Sequence, residues 1–434
     1  MRTTTQARAR RTSLAVALAL TATLAATAGA QETVAITGGT IYPVSGPRIE
    51  NGTIVFTNGV ITAIGANVAI PAGARRVDAA GKWITPGLVA TATSLGVVEV
   101  GAVRDTRDQG ARGTDNIAAA FRVWDAFNPA AVTIPVARQD GGITTVGVMP
   151  AGGLVAGLGA VYDLRSGSTA DAMLRRAPAA MAVTLDASAN AGTGSRAEAL
   201  AKLRTLLRDA REFNLTRARY DAGAMRELSA TRADLEAMQL VLKGTVPMVI
   251  AADRASEILN AIALGREFGV RVVIAGAAEA WSVAPQLAAA KVPVLTGAMN
   301  NIPESFSSLG QRQENLAMLR AAGVAVAILG NGPGGEDNFN VRNLRYEAGN
   351  AVAYGMSWDD ALRAITLAPA EILGVADKVG SLAVGKAANV VVWSGDPFEY
   401  ATQPEKVFVA GSDARVMTRQ DLLTARYRTL PVRY

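Results

Sequence analysis

The stretch Pro247-Met248-Val249-Ile250-Ala251-Ala252, with the segment over 254–268 that follows it, decides the fold. Six residues without a charge have the length of a strand, and Ile258, Ile262 and Gly265 then recur at helical spacing. The unit repeats with a strand over 270–275, a helix over 279–290, a strand over 292–295, a helix over 315–322 and a strand over 324–329. Strands that lack polar alternation are buried on both faces, and intervening helices act as crossovers, so a parallel sheet is expected. Upstream, 142–149 and 181–185 read as further strands. Between 196 and 243 lies a helical excursion whose Leu200, Leu203, Leu206 and Leu207 form one packing stripe. Over this length the natural closure is an α/β architecture, a (β/α)8 TIM-type barrel.

The flanking segments carry a different pattern. Residues 33–84 read as short strands punctuated by Gly38-Gly39, Asn51-Gly52 and Asn58-Gly59, where tight hairpins are expected. Towards the other end, Ser357 and Asp360 form a capping-box start for a helix bearing Leu362 and Ile365. After Gly380 the strand pattern returns over 388–393 and 406–410, with Gly395-Asp396-Pro397 as a turn between them. The N- and C-terminal segments together are expected to build a discontinuous small β-sandwich domain. The expected division is a signal peptide over 1–30, the sandwich over 31–85 and 381–434, and the barrel over 86–380.

The first thirty residues have the layout of an export signal. Arg2, Arg8, Arg10 and Arg11 precede an apolar run over 14–24, and Ala28-Gly29-Ala30 is a small-residue cleavage site. The default route is Sec, while Arg10-Arg11 leaves twin-arginine export open. The expected location is therefore periplasmic or secreted. Removing four arginines and no acid lowers the formal charge from +6 to +2. Basic and acidic residues are then interleaved without a basic run, which gives no footing for nucleic acid. No later stretch approaches the roughly 18 apolar residues of a transmembrane span. The chain has neither cysteine nor histidine. It thus lacks disulfides, thiolate ligands, the commonest zinc ligand and the side chain best suited to proton transfer near neutral pH.

The run from Val77-Asp78-Ala79-Ala80-Gly81-Lys82-Trp83-Ile84-Thr85 into Pro86-Gly87-Leu88-Val89 resembles the start of the first barrel strand in the amidohydrolase superfamily, particularly its imidazolonepropionase-like branch. The segment Ala361 to Ala370, then Gly380-Ser381-Leu382, Gly385-Lys386 and Gly395-Asp396-Pro397, resembles that family's closing helix and return to the β module. The resemblance implies metal-assisted hydrolysis of non-peptide C–N bonds, with zinc or another divalent ion polarising a carbonyl and holding a hydroxide. It also implies a His-x-His pair ending the first strand, one histidine each on the fifth and sixth, and an aspartate on the eighth.

Matched residue by residue, those positions hold Ala92 and Ser94, Ala251, Gly276 and Asn331. Methyl groups, a hydroxyl, a hydrogen and an amide stand where four imidazoles and a carboxylate belong. Coordination lowers the pKa of water from about 15.7 to about 7, on the order of 12 kcal/mol of acidity that no alanine or glycine supplies. No metal and no cofactor are therefore expected. The remaining catalytic candidates are Asp253, Glu279 and Asn331, with Glu99, Asp337 and Glu347 as further acids near strand ends or loops, a set that leaves a carboxylate site for a hard cation open. Asp253 and Arg254 equally suit a pair or a helix cap. Thr91, Thr93 and Ser94 have no histidine to activate them, and Lys82 lies on the wrong side of the strand start. The glycine runs at 151–153 and 332–335 lack the spacing and lysine of a phosphate loop.

Three functions follow as expectations. The first is an exported, metal-free pseudoenzyme, with Ala92, Ser94, Ala251, Gly276 and Asn331 lining a ligand-binding mouth or with an intact amidohydrolase relative as partner in a hetero-oligomer; a homo-oligomer is the simpler assembly. The second is a working hydrolase of cyclic amides or N-acyl compounds built on carboxylates. The third is a solute-binding protein for a small polar ligand.

Overall fold

The computed structural model describes residues 32–111, 116–186, 193–299, 303, 305–330 and 340–428. The expected signal segment, Asn331, Asp337 and the glycine run at 332–335 lie outside them.

Five strands open the described chain: β1 (Thr33–Ile41), β2 (Ile49–Thr57), β3 (Val60–Gly65), β4 (Arg75–Asp78) and β5 (Trp83–Pro86). They join three strands from the far end, β14 (Val390–Trp393), β15 (Pro404–Val409) and β16 (Ser412–Asp413), in one eight-stranded sheet. Its hydrogen-bonded order is β16-β15-β14-β5-β1-β2-β3, with β4 beside β1. Asn58 and Gly59, at φ of 50° and 81°, make the tight turn between β2 and β3 that their sequence predicts. The other two dipeptides do not turn the chain. Gly38-Gly39 and Asn51-Gly52 lie within β1 and β2, where Gly39 pairs with Gly52 across a register shift. The glycines serve close packing there instead: a Cβ on Gly39 would stand 2.7 Å from Ile84 Cδ1, and one on Gly52 would collide with Ile41.

The barrel sheet takes its eight strands in chain order: β6 (Leu88–Thr93), β7 (Ile143–Val148), β8 (Val155–Asp163), β9 (Leu174–Thr184), β10 (Met248–Ala252), β11 (Val272–Gly276), β12 (Val294–Thr296) and β13 (Val326–Ile328). β13 returns beside β6, nearly closing the ring. Five of the pairings are parallel. β8 departs from the all-parallel expectation, running antiparallel to both neighbours after the turn at Gly152-Gly153, whose φ angles of 105° and 70° suit glycine. Helices Ala255–Phe268, Ala284–Ala290 and Asn315–Ala321 cross between later strands, and Arg196–Leu215, Arg217–Asp221 and Arg232–Leu242 form the excursion. Leu203, Leu206 and Leu207 are fully buried there, while Leu200 is half-buried.

Strand side chains alternate between two cores, as period-2 geometry demands. Ile250, Ile274, Val294 and Val326 pack outward among helix residues such as Leu203, Ile258, Leu287 and Leu319. Val249, Val273, Leu295 and Ala327 pack together in the barrel interior, with Ala370, Leu373, Val375 and Val379 completing the same cluster. A Cβ on Gly147 would stand 2.6 Å from Leu373 Cδ1, so glycine is what lets that segment approach β7. The two sheets are tied by a buried polar knot. Asp163 accepts from Thr145 Oγ1 at 2.9 Å and from Asn389 Nδ2 at 3.3 Å, and it is ion-paired with Arg175. Asp163→Ala leaves the Arg175 guanidinium without its acid and removes one acceptor each from Thr145 and Asn389, and a loss of about 3 kcal/mol is expected from urea unfolding; an unchanged midpoint would mean the knot contributes nothing.

Candidate functional site

In a barrel of this kind the reacting groups belong at the C-terminal ends of the strands. β6 ends in Ala92-Thr93-Ser94. Ala92 adopts a left-handed φ of 51° beside a register shift, a conformation costing on the order of 1 kcal/mol for a residue with a Cβ. Its methyl packs against the interior cluster. Ser94 is buried, and its carbonyl accepts from the N–H groups of Val97 and Val98, each at 3.0 Å. Thr93 Oγ1 accepts from Leu95 N–H at 3.1 Å. Thr91 Oγ1 is buried without a hydrogen-bond partner in the structure, so no base activates it.

Across the mouth, Ala251 is held in register with Thr184 of β9 and Ala275 of β11, and its carbonyl accepts from Leu185 N–H. β10 stops at Ala252, so Asp253 begins the loop. Its N–H donates to Glu257 Oε2 at 2.9 Å, its carbonyl accepts from Glu279 N–H at 2.8 Å, and its Oδ1 accepts from Ala278 N–H at 3.4 Å. Gly276 has a φ of +83°, and a Cβ built on it would lie 2.6 Å from Asp253 Oδ1. The space into which a side chain at 276 would project is thus already taken by the Asp253 carboxyl.

The other acids near the mouth are engaged in hydrogen bonds, Glu279 and Glu347 with backbone. Glu279 Oε2 accepts from Ala255 N–H at 2.9 Å, at the start of helix Ala255–Phe268. Glu347, fully buried, accepts from Ala298 and Met299 N–H at 2.6 and 2.7 Å, fixing the chain beyond β12. Glu99 Oε1 accepts from Asn128 Nδ2 at 2.7 Å. Lys82 is paired with Glu405 in the terminal sheet, away from the mouth. Among the described residues, no group of three His, Cys, Asp or Glu side chains is placed to hold a metal ion. The donors present do not fit the metal centre that the resemblance implies: a methyl, a hydroxyl, a second methyl and a hydrogen offer one weak neutral oxygen between them.

Two residues that sequence reading passed over shape this region. Glu257 is ion-paired with Arg196, and Arg196 also donates to Ser307 Oγ at 2.6 Å, so β10 is tied to the helical excursion and to the loop after β12. Its place three residues after Arg254, at N3 of a helix, was the available signal. Asp186, just beyond β9, is an electrostatic neighbour of Asp253. Burial, reinforced by Asp186 and opposed by the Ala278 N–H, pushes the Asp253 carboxyl up to about 6, with Glu257 and Glu279 adding to the rise.

The sequence pattern that defines the amidohydrolase family matches residues 59–418. The imidazolonepropionase of Acidiphilium cryptum (strain JF-5) is 26% identical over 374 residues, covering 81% of this chain and 89% of that protein. The amidohydrolase tasK of Hapsidospora irregularis is 33% identical over 73 residues, 17% of this chain, and the chain spans only 7% of its length. Among solved structures, an amidohydrolase from Thermotoga maritima MSB8 superposes with a TM-score of 0.79 at 26% identity, covering 88% of this chain and 99% of that one. No helix among the described residues is long and apolar enough to cross a membrane.

The raised Asp253 pKa has a definite consequence for stability. Below about pH 4 folded and unfolded chains both hold the proton; between about 4 and 6 the unfolded chain releases it first, so folding loses up to about 3 kcal/mol as pH rises past 6. Asp253→Asn removes this titration. The variant is expected to melt higher than the parent near pH 8 and to converge with it near pH 4; the same offset at both would contradict the assignment.

Proposed function

We propose, proceeding from the fact that this chain belongs to the amidohydrolase family, that it is an exported pseudoenzyme whose barrel mouth has no catalytic metal and serves as a binding surface for a small polar ligand or for a catalytically intact relative. The observation that carries the reading is the donor set at the mouth. Where the family places its sixth-strand histidine stands Gly276, at a left-handed φ of +83° that disfavours any side chain. Ala92 and Ala251 contribute no lone pair, and Ser94 only a hydroxyl oxygen. Export rests on the basic, apolar and small-residue succession of the first thirty residues.

One observation favours a second reading. Asp253, half-buried at the mouth with a carboxyl titrating at about 6, has the proton affinity of a group that exchanges protons near neutrality. On that reading the chain hydrolyses cyclic amides or N-acyl compounds with Asp253 as the base.

Hydrolysis of a panel of N-acyl amino acids, hydantoins and imidazolones by the mature chain, with and without added zinc, separates the two. The pseudoenzyme predicts no turnover above buffer under either condition. Turnover that Asp253→Asn abolishes, with the variant still folded, would establish the second reading and overturn the first.

A further inference from the structure

At the end of the barrel away from the mouth, where β10 to β13 begin, the chain forms a half-open cavity of about 540 Å3 with Arg266, Arg271 and Lys291 exposed at it. Pro247, Arg271, Pro293 and Ala325, each the residue just before one of those four strands, line it. Helix Leu367–Ile372 supplies another wall. This volume lies within the range of small-molecule sites, roughly 300–1,000 Å3. Much of the lining is apolar, with Ile262, Val272, Val292 and Ile372 facing the space.

The charges around it are unbalanced. Arg266, Arg271 and Lys291 line the cavity, and none of the three forms an ion pair with a described residue. Glu371, the acid in the same lining, is engaged with Arg363 at 2.6 Å. Helices Ala255–Phe268 and Ala284–Ala290 end at this face, and their carbonyl termini bring about half a negative charge each. That is roughly one negative charge against three cations, and Arg271 belongs to neither helix. A cationic excess beside an apolar floor matches a molecule with an anionic head and a hydrocarbon body.

We propose that this cavity binds a small organic carboxylate with an apolar body, its head held among Arg266, Arg271 and Lys291 and its body lying against Ile262, Val272 and Ile372. The site is independent of the mouth, being at the opposite end of the strands, and it stands whether or not the mouth is catalytic.

The test is calorimetric titration of the mature full-length chain with octanoate, octanol and inorganic phosphate. The expected result is saturable binding of one octanoate per chain, with octanol and phosphate each about tenfold weaker or more, the loss that follows from removing a charge-assisted hydrogen bond. Arg271→Gln, which keeps much of the side chain's length without its charge, is expected to weaken octanoate by a similar factor, with Arg271→Lys retaining part of it. Octanol binding as tightly as octanoate would reduce the cavity to an apolar groove, and phosphate binding as tightly would reduce it to a general anion patch; either overturns the proposal. So does an unchanged octanoate affinity in Arg271→Gln. Should that variant fail to fold, the comparison of the three probes on the unmodified chain decides the matter.

Discussion

A side chain at residue 276 would have to share space with the Asp253 carboxyl, whose Oδ1 lies 2.6 Å from where its Cβ would stand. The backbone brings the two residues together, because β10 and β11 are paired in parallel with Ala252 opposite Gly276. The loop leaving β10 therefore falls directly beside the end of β11. A glycine at 276 admits the carboxyl, and its φ of +83° is a left-handed conformation that a residue with a Cβ adopts only under strain. The acid that fills the gap is itself costly to ionise, since burial and the neighbouring Asp186 both favour its protonated form.

Around this contact the acids that might have rebuilt a metal site are committed elsewhere. Glu257 gathers the N–H groups of Asp253 and Arg254 and faces Arg196; Glu279 takes the N–H of Ala255; Glu347 takes two N–H groups beyond β12. Each interaction satisfies backbone donors that burial would otherwise leave exposed to a penalty of about 1–3 kcal/mol. The scaffold that would present a metal is thus present and well satisfied, with its carboxylates spent on holding loops. Beneath it, Val249, Val273, Leu295 and Ala327, with the segment ending at Val379, fill the barrel interior.

Much of this architecture is legible in the chain itself. The strands over 247–329 announce themselves because burial on both faces leaves continuous apolar runs, and the helices between them carry their own spacing. β8 is quieter. Its Ala156, Gly157, Gly159 and Ala160 are too small to mark a strand, and the antiparallel direction follows from a glycine turn that reads equally well as a loop. Asn51-Gly52 and Asn58-Gly59 are chemically alike, yet only the second turns the chain; the first meets Ile41 across a bulge, a tertiary contact that spacing does not reveal. At the mouth, the replaced positions are visible by resemblance alone. The duties of Glu257, Glu279 and Glu347 are not, since each depends on which loop the fold brings within reach.

Whether the barrel mouth can grip a divalent cation decides what chemistry it can do. Elemental analysis of the untagged protein, purified from its source without chelators and dialysed, tests this most directly. Zinc, manganese, iron and related metals are each expected well below one equivalent per chain, with chelator treatment leaving the melting temperature unchanged. A stoichiometric metal that survives dialysis and whose removal lowers the melting temperature would contradict it.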